Sequence, residues 1–341
     1  MPHPDPSAVQ ALLGSRASPC RRGLTGARGI ALPPFFDHHV HLHLIDETQL
    51  AAHGIAGVVD LGGDPLALAR RPRRGMPYVA YAGAILTAAG GYPSGRSWAP
   101  PQVVREVTDP STSAGVAGGA TTAVDEQVEY GASVIKVALN AASGPVFDDA
   151  LLAAIVAAAH ARGLPVVAHV EDGDGMTGTA ERAVNVGVDV LAHTPFTSIL
   201  AAEVIERAAA QQAWISTLDI HRDEPETREI AIANLRTFTA AGGRVLYGTD
   251  LGNGDLPVGV NPGELTALRE AGLDAAAIVA SLTDPWPGVA ATAGGDASGT
   301  KASGTSTFIP GDPPSIDDEL TAWLAGATVV PTEELIHDDL R

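Results

Sequence analysis

Asp37, His38, His39, Val40 and His41 follow one another at the end of an apolar stretch. Strand side chains alternate faces, so His39 and His41 share one face, and two imidazoles on one rigid strand can grip a divalent cation. His41 and His43 have the same spacing and form the competing pair. Other chemistry-bearing residues punctuate later apolar runs: Lys136 within VIKV, His169 closing PVVAH, His193 closing VDVLAH and Asp250 closing YGTD. A lone core histidine is ordinarily just hydrogen-bonded. Two histidines, a lysine and an aspartate at equivalent points of four further runs imply convergence, because unpaired charges are seldom buried.

Lys136 raises its own question. An ammonium between Ile135 and Val137 costs several kcal/mol to bury unless it is paired or deprotonated. One escape is carbamylation by CO2, which yields an anion whose two oxygens can bridge two metals. The other is pairing with Asp250 or with a substrate carboxylate. The chemistry leaves both open.

These residues need elements to hold them. Eight short apolar, β-branched runs are read as strands, at 35–41, 57–61, 78–86, 133–139, 165–169, 188–193, 214–218 and 244–248. Several are continuous hydrophobic runs, as expected of strands buried on both faces. Helical patterns fall between or after them at 148–162, 198–212, 226–241, 262–271 and 275–282, with a last one at 317–324. Such alternation predicts an α/β fold, and eight strands favour a (β/α)8 TIM barrel over an open sheet. The chemical residues then fall on its C-terminal rim, where active sites of this fold lie. The expected division is an irregular leader over 1–34, the barrel over 35–290, and a flexible loop and tail over 291–341. Cys20, the single cysteine, falls in that leader and reads as an exposed or disordered thiol.

The chain has 341 residues, 45% of them apolar, which suffices for one large core. A net charge of −19 repels phosphate backbones and anionic membranes, so the expected partner is a small molecule, not nucleic acid or membrane. With no apolar signal core at the start, the expected location is cytoplasmic. Substrate contacts are expected from loops after the strands: Tyr92 or Arg96 in AGGYPSGRS, His221 after the seventh strand, Asn140 just past Lys136, and Asn253 just past Asp250. EDGDG at 171–175 lacks the terminal glutamate of a calcium loop and reads as the loop after strand five.

The set Asp37, His39, His41, Lys136, His169, His193 and Asp250 resembles the metal-dependent amidohydrolase superfamily. It looks most like the binuclear members with a carboxylated lysine, of the imidazolonepropionase and prolidase type. GASVIKVAL, GLPVVAHVE, VGVDVLAHT and AGGRVLYGTD carry the resemblance further, over about residues 35–282. The resemblance implies that His39, His41 and Asp250 hold a buried metal, and His169 and His193 a more exposed one. Lys136, as its carbamate, bridges the two, with zinc the expected ion. It implies a metal-bridging hydroxide that attacks an amide, cyclic amide or related ester, with Asp250 passing the proton to the leaving group. A homo-oligomer is expected at the same level. Members usually carry an outer β-sandwich; here only a reduced remnant is expected, from the leader and from 308–311 and 327–330. Two other readings stand beside this one. A mononuclear deaminase of heterocycles would want a glutamate three residues after His169, where Asp172 stands. A ligand-binding barrel without catalysis would not require the full set.

Overall fold

The computed structural model describes residues 4–72, 77–175, 177–286, 304–314 and 317–337. After a helix at Pro6–Leu13, β1 (Ser18–Arg22) and β2 (Arg28–Leu32) pair antiparallel. Next, β3 (Phe35–Val40), β4 (Ile55–Asp60) and β5 (Tyr78–Tyr81) form a parallel three-stranded sheet. A second parallel sheet comprises β6 (Ile85–Thr87), β7 (Val104–Glu106), β8 (Ile135–Asn140), β9 (Val166–Glu171), β10 (Val190–Leu191), β11 (Ala213–Ile215) and β12 (Arg244–Leu246). Its order is β12-β11-β10-β9-β8-β6-β7. The chain ends with β13 (Thr305–Pro310), β14 (Thr328–Pro331) and β15 (Leu335–His337).

Backbone bonds tie the two parallel sheets together at both seams. Along one, the His38 N–H donates to Tyr247 O (3.0 Å) and the His41 N–H to Leu251 O (2.8 Å). Along the other, the Ser133 N–H donates to Tyr81 O (3.0 Å). The run expected as one strand over 78–86 is broken into β5 and β6. Gly83 takes φ +76°, and a Cβ there would lie 2.4 Å from the Gln127 amide oxygen. That oxygen accepts the Ala84 N–H (2.9 Å), so a glycine is required where the chain steps between the sheets.

Helices appear where the 3.6-residue pattern places them, at Asp149–His160, Ala202–Gln211, Pro225–Ala240, Pro262–Glu270, Ala275–Thr283 and Asp317–Ala325. Asp148 caps the first by accepting the Leu151 N–H (2.8 Å). Two buried clusters result. The larger one packs helices on the outer faces of the strands. The smaller one draws on Phe36 of β3, Val59 of β4, Ala80 of β5, Val167 of β9, Ile215 of β11 and Leu246 of β12, among others. No helix among the described residues is long and apolar enough to cross a membrane.

The N-terminal leader is not irregular. Its two strands join the C-terminal ones in a five-stranded antiparallel sheet of order β14-β13-β2-β1-β15. Cys20 is correspondingly not exposed: it sits fully buried among Ala31, Phe308, Val330 and Leu335. The division at 34 and 291 therefore separates segments that are one structural unit. Residues 1–30 gave no strand signal because β1 and β2 are short and, apart from each other, their partners lie about 300 positions downstream in the sequence, as in Cys20 opposite His337. Much of the segment 290–306, expected to be flexible, lies outside the described residues.

Candidate metal centre

On β8 and β9, alternation alone places the functional side chains. Val134 and Val167 belong to the inner cluster, whereas Ile135, Val137, Leu139, Val166, Ala168 and Val170 pack outward. Lys136, Ala138, Asn140, His169 and Glu171 share the inner parity and line one cavity. Plain alternation would fail on β3, where Phe36 faces in and Val40 faces out. A register irregularity against β4 between Asp37 and Val40 switches the parity and brings His39 and His41 inward. β10 ends at Leu191, so His193 reaches the cavity from the turn beyond the strand.

Asp37 anchors this corner. Its carboxylate accepts the His39 N–H (3.0 Å), the Thr249 N–H (3.1 Å) and the Thr249 hydroxyl (2.6 Å), tying β3 to the segment after β12. Gly248 allows the close approach, because a Cβ there would meet Ile215 at 2.3 Å and the His39 nitrogen at 3.2 Å. Asp60 likewise accepts the N–H groups of Leu42 (2.9 Å) and Gly62 (3.0 Å), fixing the turns that follow β3 and β4. Two non-glycine residues at the rim hold positive φ, Thr217 at +41° and Asp250 at +59°. The strained Thr217 places its hydroxyl 2.9 Å from His193 Nδ1.

His39, His193 and Asp250 each offer an atom within 4.8 Å of the others, and all three are buried. His41 Nε2 joins them, 3.3 Å from Asp250 Oδ1. The hydrogen bonds on the far side of each ring decide what these atoms can do. His39 Nδ1 lies 2.9 Å from Ala192 O and His41 Nδ1 lies 3.0 Å from Gly62 O. A carbonyl only accepts, so Nδ1 carries a proton in both rings, and in the neutral ring Nε2 presents its lone pair. Burial drives His39 and His193 well below the ordinary histidine range, which keeps both rings neutral. His39 Nε2 stands 3.1 Å from Asp250 Oδ1, yet neither atom has a hydrogen-bond partner. Acceptors aimed at one buried point fit a cation, which supplies the charge that none of them carries. The donor set, imidazole nitrogens and a carboxylate, suits zinc or a similar divalent ion.

Lys136 is buried on the same wall. Burial lowers its amine to about 7, against the opposing charge of Asp250. The ring of His169 packs edge-on against that of His193, with centroids 4.9 Å apart. Its Nε2 lies 3.2 Å from Glu171 Oε2 and 3.3 Å from Asn140 Nδ2. The cavity, of about 270 Å³, is also lined by Tyr92, His221 and Asn253. His221 Nε2 is buried without a partner. His43 does not compete with His39: its Nε2 faces the Trp98 carbonyl at 3.2 Å. Arg96 is exposed and lies over the outside of the Tyr92 ring, 5.8 Å from its centroid.

Among the lining residues that sequence reasoning passed over are Glu171, Ser143, Trp98 and Phe196. Glu171 had a usable signal, its even spacing from His169; the two aromatics lie in loops and had none. A larger open groove of about 950 Å³ runs outside the strands beside Arg222, Arg228 and Arg236. Its arginines are engaged by Asp255 O, Glu270 and Glu270 O, and it holds no orphaned polar atom comparable to those of the rim.

No protein-family model and no curated protein sequence matches the chain. Solved structures do. A Xaa-Pro dipeptidase with bound methionine superposes with a TM-score of 0.64 at 17% identity, covering 90% of this chain and 87% of the other. An amidohydrolase gives 0.66 at 20% identity, over 91% and 87% of the two chains. Ochratoxinase of A. niger gives 0.65 at 18% identity, over 91% and 84%. The chain shares the fold of these hydrolases. Each superposition covers about nine-tenths of this chain and 84–87% of the other.

Proposed function

We propose that this chain is a metal-dependent hydrolase that cleaves an amide, cyclic amide or related C–N bond of a small molecule, an ester or lactone being a lesser alternative. The observation that carries this is the corner where the Nε2 atoms of His39 and His41 and the ring of His193 converge on a carboxylate oxygen of Asp250 that has no hydrogen-bond partner. In this reading β3, β4, the broken strand β5–β6, β8, β9, β10, β11 and β12 close into a (β/α)8 barrel, with β7 outside it on β6. Hydrogen bonds at both seams and a small cluster fed by the inner faces of the strands support closure.

His39, His41 and Asp250 would hold one divalent cation, with zinc the favoured ion, and His169 and His193 a second. When bound, such cations polarise a substrate carbonyl and acidify water. Lys136 is suited to bridge them as a carbamate. With its amine lowered to about 7 it has a large neutral fraction, and that form adds CO2. The new N–C bond forms as a proton leaves nitrogen, giving an anion with two ligating oxygens. Asp250 is held by the Asn253 amide, which donates to Oδ2 at 2.9 Å. There it can take a proton from the attacking water and return it to the leaving nitrogen. Tyr92, Asn140 and His221 are positioned to contact substrate, His221 through its unpartnered Nε2.

Elemental analysis of gently purified protein should give two equivalents of divalent metal per chain. Turnover of an amide panel should vanish with chelation and return with zinc, and Lys136→Ala should lower the metal content. Full turnover in protein without metal would overturn the proposal. Ammonia release from aminated heterocycles with one metal per chain would replace it with deamination.

A further inference from the structure

Aromatic residues are scarce in this chain, Phe, Tyr and Trp together making up 4% of it. Three of them nevertheless line the cavity: Tyr92, Trp98 and Phe196. Tyr92 and Trp98 lie with ring centroids 6.0 Å apart. Trp98 also borders His41 at 5.7 Å, and Tyr92 borders His169 at 5.4 Å. Phe196 forms a second wall, 6.3 Å from His193 and 4.5 Å from His221. All three are only half-buried, so they keep ring surface open to an occupant. The loop that carries Tyr92 and Trp98 is closely packed: the Gly90 N–H donates to Glu106 Oε1 (2.8 Å), and a Cβ on Gly91 would lie 2.4 Å from Pro145 O.

Charge narrows the occupant further. None of the lining residues is an arginine, and the one lysine, Lys136, lies at the metal corner facing Asp250. The rim adds a negative charge, Glu171, held by Asn140 Nδ2 at 2.5 Å. A carboxylate on the substrate, taken out of water here, would meet Glu171 and no guanidinium. The remaining polar groups, Asn140, Ser143, Asn253 and His221, suit neutral donors and acceptors.

We propose that the site takes an uncharged aryl amide, such as an anilide, whose ring packs against Tyr92, Trp98 and Phe196, and discriminates against amides that carry a free carboxylate. The proposal rests on the hydrolase reading for the chemistry but on the cavity walls for the selectivity. Acetanilide and 4-acetamidobenzoate share ring and scissile bond and differ by one carboxylate. With zinc-loaded protein, kcat/KM for acetanilide should exceed that for 4-acetamidobenzoate by roughly tenfold or more, and Trp98→Ala should lower it by a similar factor. Calorimetric binding to Asp250→Asn protein separates selectivity from chemistry. If neither compound is hydrolysed but acetanilide binds more tightly than its carboxylate and Trp98→Ala weakens it, the hydrolase reading falls and the selectivity stands. If 4-acetamidobenzoate is cleaved or bound as well as acetanilide, the selectivity falls and the hydrolase reading stands. A preference for the carboxylate abolished by Arg96→Ala, or no binding of either compound, also overturns it.

Discussion

Asp250 and the carboxylates behind it are chemically alike and oppositely surrounded. At the rim, Asp250 Oδ1 faces the Nε2 atoms of His39 and His41, whose Nδ1 atoms are committed to carbonyls. Asp37 and Asp60, equally buried, face backbone N–H groups and a hydroxyl. Surrounded by donors, a buried carboxylate braces the backbone, though burial still pushes Asp37 up to about 7. Burial would raise Asp250 too, yet positive charge on the imidazole side holds it well below the usual carboxylate range, and a bound cation would act in the same place. Burial and charge are common to both regions, so neither marks the site. The polarity of the neighbouring atoms does.

Asp250→Asn is the most direct attempt to break this contrast. Turnover should fall by roughly 10²- to 10⁴-fold, the range for a lost acid–base group. Metal content should fall as well, while the metal-free protein should lose less stability than it does with Asp37→Ala, since Asp250 Oδ1 accepts no hydrogen bond. Marked destabilisation of the metal-free variant would mean that Asp250 braces the fold as Asp37 does. Asp37→Ala should behave the other way. It strands the His39 and Thr249 N–H groups and the Thr249 hydroxyl, costing about 2–5 kcal/mol in urea unfolding of metal-free protein. An unchanged urea midpoint would show that water replaces those bonds and that Asp37 is no brace.

How much of this was legible depended on whether alternation survived to the rim. Lys136 and His169 continue the inner parity of Val134 and Val167, so a period of two reaches them and, carried four residues past Lys136 and two past His169, also reaches Asn140 and Glu171. His39 and His41 line the same cavity, but their inward aim comes from an irregularity against β4 that no local pattern announces. His193 and Asp250 lie beyond the ends of their strands, on turns set by contacts such as Thr217 with His193. The terminal sheet was hidden for a different reason: β1 and β2 are short, and their partners β13 and β15 are remote in sequence. Loops gave least, and Trp98 and Phe196 enter the cavity through loop geometry alone.

Glu264 sits between the two extremes and sharpens the comparison with the smallest effect. It is fully buried on the helix Pro262–Glu270, and its Oε2 accepts the N–H groups of Leu218 (2.8 Å) and Asp219 (2.7 Å). Those two residues begin the turn that carries His221 into the cavity. Its other oxygen, Oε1, has no well-formed hydrogen bond, with the Ser216 hydroxyl the donor nearby. Burial pushes the carboxyl up from 4.5 to about 7, against the Ser216 hydroxyl and the two backbone donors. The folded protein therefore holds a proton that the unfolded chain releases between those values. Stability attributable to Glu264 is present below about pH 4.5 and is lost as the pH climbs through 7, by about 3 kcal/mol at most. Glu264→Gln keeps an acceptor for the two N–H groups and cannot ionise, so its urea midpoint should fall less than that of the parent between pH 5 and 8. Asp37 titrates alike in both proteins, which leaves the difference between the two curves to Glu264. Parallel curves would mean that the carboxylate is ionised throughout, and that two backbone donors suffice to make a buried carboxylate a brace.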